Sequence, residues 1–292
     1  MRNDICIIIP VYNRVELTLK CVMSLQNQTV TGFSIIVIDD GSTDDSLYLI
    51  REQFPLVKVM HGNGNLWWAG ATNAGINYAM TAGYNYIMCL NNDVEVANDF
   101  IEQILLAAEK KPDALIGAAG YNIKTGKLNY IGSTFNWKKG IIVDLLEKYP
   151  ERKEQNLIML TNFIGRGLLI PVKVFEKIGL FNNYDFPQGL ADLDFTLMAH
   201  RAGFEIYCST KSKVFAHSDL HTSKEYFEKY NLKNFYLYLT DIKGAGNIKF
   251  RWKFGMRNAP DGYKFYYSIV SISRCILGYI RRWSGDKKIN RI

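Results

Sequence analysis

The chain has 292 residues, 48% hydrophobic and 22% charged, enough for one large core or two smaller ones. Its net charge of +7 lies in the tail, because Lys243 to Ile292 holds twelve Lys or Arg against only Asp261 and Asp286. Five cysteines (Cys6, Cys21, Cys89, Cys208, Cys275), widely spaced and without a CxxC pair, argue for reduced buried thiols in a cytosolic protein and against a disulfide framework or zinc site. No secretory leader pattern is visible, and no apolar run reaches the roughly 18 residues that span a bilayer.

The chain opens on the continuous apolar run Ile5 to Ile9, ended by Pro10, and repeats the pattern at Ile35 to Ile38, ended by Asp39-Asp40-Gly41-Ser42. Runs without alternation predict strands buried on both faces of a parallel sheet. Between them, Val15 to Leu25 predicts an amphipathic helix entered through Asn13. A second helix is expected from a Ser42 cap to about Gln53. A strand at Val57 to Met60 follows, then a Gly/Asn loop and a helix over Ala69 to Thr81. The strand Tyr86 to Asn91 and a helix over Asn98 to Lys110 complete a βαβαβαβα order, which predicts an open, mostly parallel α/β sheet flanked by helices.

After Ala114 to Ala119 the pattern loosens into short strands and turns, with a charged loop expected at Glu147 to Gln155. Order returns with a strand over Asn162 to Pro171, a short helix over Val172 to Ile178 and another over Leu190 to Ala202. Two short strands are expected at Phe204 to Cys208 and Val214 to Ala216. Beyond Tyr226 the chain turns aromatic, basic and mostly helical.

In open α/β sheets, ligands bind outside the carboxyl ends of the strands. Those ends carry Pro10-Val11-Tyr12-Asn13, Asp39 to Ser42, Gly62-Asn63-Gly64-Asn65 and Asn91-Asn92-Asp93, so four successive strands place polar groups along one edge. Tyr12 suits packing on a base, and Asp40 suits accepting from a base N–H or a ribose hydroxyl. A carboxylate such as Asp93 at a strand end suits a hard divalent cation that fills its shell with substrate phosphates. The plainer alternative is that Asn91 to Asp93 only caps the next helix. No GxGxxG follows the first strand and no Walker motif is present, so neither the usual dinucleotide fold nor a P-loop kinase is supported.

Pro10 to Arg14, Ile38 to Ser46, Asn65 to Ile76 with Gly70, Asn73 and Gly75, and Asn91 to Asp93 resemble, in that order, the signatures of family 2 inverting glycosyltransferases with the GT-A fold. The resemblance covers about residues 4–220. It implies a donor that is a nucleoside-diphosphate sugar and a divalent metal (Mg or Mn) on its diphosphate. Pro10, Tyr12 and Asp40 would then hold the nucleoside, with Asn13, Trp68 and Asn92 beside the donor, and Asp93 would ligate the metal. The family's Asp-x-Asp reads Asn91-Asn92-Asp93 here, so its first carboxylate is missing. Leu190 to Phe195 resembles the Glu-Asp-x-Asp segment in which the second acid is the general base, here Asp192, while the usual Glu is Ala191. His217 is similar to a histidine that completes the metal shell in some relatives; an ordinary hydrogen-bonded histidine is the alternative.

Of the tryptophans, Trp68 is expected as a sugar or base platform and Trp67 as core. The resemblance implies a catalytic domain over residues 1–220, donor-binding to about 120 and acceptor-binding beyond, followed by a C-terminal extension over 221–292. Tyr263 to Trp283 suits either a helix lying in the interface of an anionic membrane, holding the enzyme at its inner face, or a helix packed on the protein. The Asn63 to Ala71 stretch is most similar to bacterial surface-polysaccharide enzymes, often rhamnosyltransferases, which implies dTDP-rhamnose as first donor and a glycan or lipid-linked acceptor. Two rivals stand beside this reading. One is a sugar-nucleotide-binding scaffold that has lost catalysis, motivated by Asn91 and Ala191. The other, a nucleic-acid-binding protein, has only the basic tail behind it and no recognition motif.

Overall fold

A computed structural model describes residues 4–216 and 225–285. The donor half runs β1 (Ile5–Val11), α1 (Val15–Gln26), β2 (Phe33–Asp39), α2 (Ser46–Gln53), β3 (Lys58–His61), α3 (Trp67–Thr81), β4 (Tyr86–Cys89), β5 (Val94–Val96), α4 (Phe100–Lys110) and β6 (Leu115–Asn122). The chain continues through β7 (Leu128–Tyr130), β8 (Ser133–Asn136), β9 (Ile141–Asp144), α5 (Leu145–Lys148), β10 (Leu157–Leu160), β11 (Leu168–Pro171), α6 (Val172–Ile178), α7 (Ala191–Arg201) and β12 (Ile206–Ala216). Four helices close it: α8 (Glu225–Glu228), α9 (Leu232–Thr240), α10 (Ile248–Asn258) and α11 (Lys264–Trp283).

Ten strands form one sheet in the order β10-β12-β6-β11-β4-β1-β2-β3, with β5 beside β12 and β7 beside β6; β8 and β9 make a separate hairpin. As expected, β1, β2, β3 and β4 run parallel. The expectation of a mostly parallel sheet holds for that half. Beyond it β11 enters antiparallel between β4 and β6, and β6 and β12 are again parallel to one another.

The continuous apolar runs have a simple cause, because each strand face carries its own core. Ile7 and Ile9 pack with α1 and α4, whereas Cys6 and Ile8 pack with α3 and, through Leu168, with α7. Helix α3 lies so close to β1 that a Cβ on Gly75 would sit 2.6 Å from the Ile8 side chain.

Four expectations need correcting. The second helix begins at Ser46, and Ser42 accepts from the Asn13 backbone N–H instead of capping it. The two strands expected after α7 are one bulged strand, β12. The charged loop expected at Glu147 to Gln155 holds the end of α5 and a 3-10 turn over Pro150–Glu154. Trp67, expected as core, joins no core cluster and takes the strained left-handed φ of 56° that starts α3, while the half-buried Trp68 packs edge-on to Phe181 at 5.4 Å against the core.

The C-terminal helices do not stand apart. Phe250, Phe254 and Tyr267 join the core that contains Leu193, Phe195 and Leu197 of α7, and Tyr226, Tyr238, Cys275 and Tyr279 close a small aromatic cluster of their own.

Candidate active site

The carboxyl ends of β1 to β4 meet as expected, but the side chains there divide between holding loops and facing solvent. Tyr12 is 53% exposed at the mouth, beside Pro10, the residue paired with Ile38 near the end of β1. Asn13 is a staple: its N–H donates to Ser42 Oγ at 2.8 Å, and its Oδ1 accepts from the Thr43 N–H at 2.9 Å. Asp40, expected to meet the nucleoside, is buried. Its Oδ1 accepts from the Gly64 N–H and its Oδ2 from the Trp67 N–H, both at 2.9 Å. A carboxylate there satisfies free N–H groups at the start of α3 and suits the positive end of the helix dipole, so Asp40 holds the glycine loop under the mouth.

At the end of β4 the three polar residues part. Asn91 Oδ1 accepts from Trp68 Nε1 at 3.0 Å, and Asn92 turns toward α1, donating to Thr18 Oγ1 at 2.9 Å. Asp93 is the one that faces outward, and its Oδ2 pairs with the Arg14 guanidinium at 3.0 Å. None of the three caps α4, whose N-cap residue is Asp99.

Asp192 stands on the first turn of α7, which starts from Leu190 in the left-handed region. Its Oδ2 accepts from the Gly165 N–H at 2.9 Å and its Oδ1 from the Leu193 N–H at 2.8 Å. Burial holds its carboxyl above the usual range, opposed by those two N–H groups and by the positive charge of Arg166. Gly165 explains the close approach: a Cβ there would fall 2.5 Å from the Trp68 ring and 3.5 Å from Asp192 Cβ. Trp68 therefore joins the Asp192 side of the site to Asn91, two residues before Asp93. Asp194 points the other way, as its spacing predicts on a helix. It is buried, and it accepts from Arg257 Nε at 2.9 Å and from Asn258 Nδ2 at 2.6 Å.

The donor set for a divalent cation can be judged from these contacts. Among the described residues no group of three His, Cys, Asp or Glu side chains could cage a metal, and His217 lies outside the described residues. One outward-facing carboxylate, Asp93, fits a cation shared with a substrate's phosphates. A cavity of about 470 Å³, lined by Phe135, Trp137, His200, Arg201 and Lys264, lies at the other end of α7 and away from the strand ends.

Residues 6–179 match the profile described as Glycosyl transferase family 2. The chain belongs to this family. It is 31% identical over 198 residues to glycosyltransferase GlyG of Streptococcus pneumoniae serotype 4, a match covering 65% of this chain and 62% of that protein. It is 33% identical over 136 residues to the chondroitin synthase of Pasteurella multocida, covering 40% of this chain and 14% of the synthase. The chain thus spans under two thirds of the first relative's length and about one seventh of the second's. Among solved structures, GalNAc-T7 with UDP, GalNAc and Mn2+ superposes with a TM-score of 0.61 at 14% identity, covering 98% of this chain and 58% of that one. The family and this fold agree with the GT-A architecture expected from the motifs.

Two contributors were not visible in the sequence reading. The Gly165 N–H reaches Asp192 from 27 residues away, and Arg14 reaches Asp93 across 79. Arg14 sits inside the first motif, but its left-handed backbone has no sequence signal in a non-glycine residue.

Proposed function

We propose that this chain is an inverting glycosyltransferase that moves a sugar from a nucleoside-diphosphate sugar to a glycan or lipid-linked glycan acceptor in bacterial surface-polysaccharide synthesis. The observation that carries it is Asp192: a desolvated carboxylate, oriented by two backbone N–H groups and joined through Trp68 to the strand end that bears Asp93. In such a transfer the acceptor hydroxyl attacks the anomeric carbon, its proton passes to Asp192, and the bond from that carbon to the diphosphate oxygen breaks on the opposite face. Tyr12 offers an exposed ring for the base, while Asn13 and Asp40 keep the loops around it in place. Asp93 would hold a divalent cation, which when bound offsets negative charge on the leaving diphosphate. The cavity along α7 leaves room for more distant sugars of an acceptor, since eight residues of helix from Asp192 to His200 rise about 12 Å.

A screen of nucleoside-diphosphate sugars for donor hydrolysis, with and without Mn2+, tests the reading. We expect turnover with one donor class, dTDP-rhamnose being the first choice, and faster turnover with Mn2+. No hydrolysis of any donor together with no nucleotide binding would sink it.

The exposed side of α11 supports attachment to an anionic membrane. Phe265, Tyr266, Ile269 and Leu277 are each more than half exposed, and Arg274 and Arg281 are exposed among them. No helix among the described residues is long and apolar enough to cross a membrane. Basic residues at an anionic surface contribute about 1 kcal/mol each, screened over about 8 Å at physiological salt. The protein should therefore sediment with phosphatidylserine vesicles at low salt and be partly released at high salt. Because Tyr267, Cys275 and Tyr279 on the same helix are buried, the test is substitution of Phe265, Tyr266 and Ile269 by Ser, not truncation. Vesicle binding unchanged by the triple substitution would refute attachment through this face.

A further inference from the structure

Asn13 and Arg14 both occupy the left-handed region, with φ of 57° and 63°. Two consecutive non-glycine residues in that conformation are strained and persist only where the surroundings over-determine them. Here they do. Asn13 is bonded to Ser42 and Thr43, the Val15 N–H donates to Asp44 Oδ2 at 2.9 Å, and the Arg14 carbonyl accepts from the Thr18 N–H at 3.1 Å. The outcome of this enforced turn is the position of one guanidinium. Arg14 is carried to the mouth and laid on Asp93.

The charges there suggest what the turn is for. Where the family has two carboxylates, Asn91-Asn92-Asp93 supplies one, and Arg14 already balances it. An arriving diphosphate brings several anionic oxygens, and a planar guanidinium fork suits them at least as well as it suits one carboxylate. The Arg14 side chain is 42% exposed, so it can turn while its backbone stays fixed. We infer that Arg14 binds the donor's diphosphate, resting on Asp93 until the donor arrives, and that its release frees Asp93 for a cation.

Positive charge then reaches the diphosphate by two routes, and losing one makes binding depend more on the other. The inference rests on the sugar-nucleotide reading above. The plain alternative is an exposed ion pair of little consequence, whose removal changes nothing measurable.

Calorimetric titration of the full chain with UDP and dTDP, in chelator and in Mn2+, separates the two. In chelator, Arg14→Ala should weaken the bound nucleotide by about tenfold, the loss of one charge-assisted contact, and Arg14→Lys should fall between it and wild type. Asp93→Asn should act with opposite signs, tightening binding in chelator, where Arg14 is set free, and weakening it in Mn2+. Arg14→Ala affinity equal to wild type in chelator overturns the inference, as does an Asp93→Asn that weakens binding in both conditions. If the wild type binds neither nucleotide in either condition, the sugar-nucleotide reading falls and this inference falls with it. If the wild type binds and only Arg14→Ala is silent, this inference alone fails.

Discussion

Asp192→Asn is expected to lower turnover about a hundredfold or more while nucleoside-diphosphate affinity stays near wild type, the pattern of a lost general base. Single-turnover rates and calorimetry on one preparation measure both. The acid works only when ionised, and burial raises its pKa, so turnover should fall with decreasing pH at a higher pH than an exposed aspartate would give. Stability runs the other way. A carboxyl whose folded-state pKa is raised contributes stability below its unfolded value and loses it as pH rises through the folded one. At neutral pH the ionised Asp192 is therefore a cost to the fold, and its removal offsets the one backbone N–H that an Asn amide cannot accept, so the Asn variant should melt close to wild type. A variant that loses turnover and melting temperature together would make Asp192 a structural residue.

Arg257→Ala should bring the largest loss of stability. Asp194 is 2% exposed at its side chain, with burial pushing its pKa up and Asn258 and Arg257 pulling it down. Removing one partner of a buried pair leaves a desolvated charge, which costs roughly 3 kcal/mol at the low end of the usual range. The low end applies because Arg257 is 41% exposed and Arg201 still holds Asn258. Denaturant unfolding measures this, and turnover should fall too, since α7 bears Asp192. A change under about half a kcal/mol would place the pair among ordinary surface ion pairs.

What could be read from the sequence follows from how local each cause is. Ile5 to Ile9 and Ile35 to Ile38 revealed buried strands because both faces are covered, and the polar residues after them named the edge where ligands bind. Asp93 and Asp192 could be named as candidates because strand ends and a helix start are local features. An apolar run does not carry direction, so β11 could not be seen to enter antiparallel. Asp40 was read as a donor ligand because its partners, the N–H groups of Gly64 and Trp67, belong to a loop whose path depends on α3. The same distance hid the use of Arg14 and Arg257 as partners of acids far along the chain.

The tie between Asp194 and Arg257 also sets a clock on translation. The chain leaves the ribosome amino end first, and an α/β half such as β1 to β4 can collapse while the rest is still being made. Asp194 emerges 63 residues before its guanidinium, and Phe254 arrives with it, so α7 waits with an uncompensated acid and a gap in its core. A nascent chain can thus hold the loops at the ends of β1 to β4 before it can hold Asp192. The setting of Asp192 on α7 is complete only once α10 has been made and has docked.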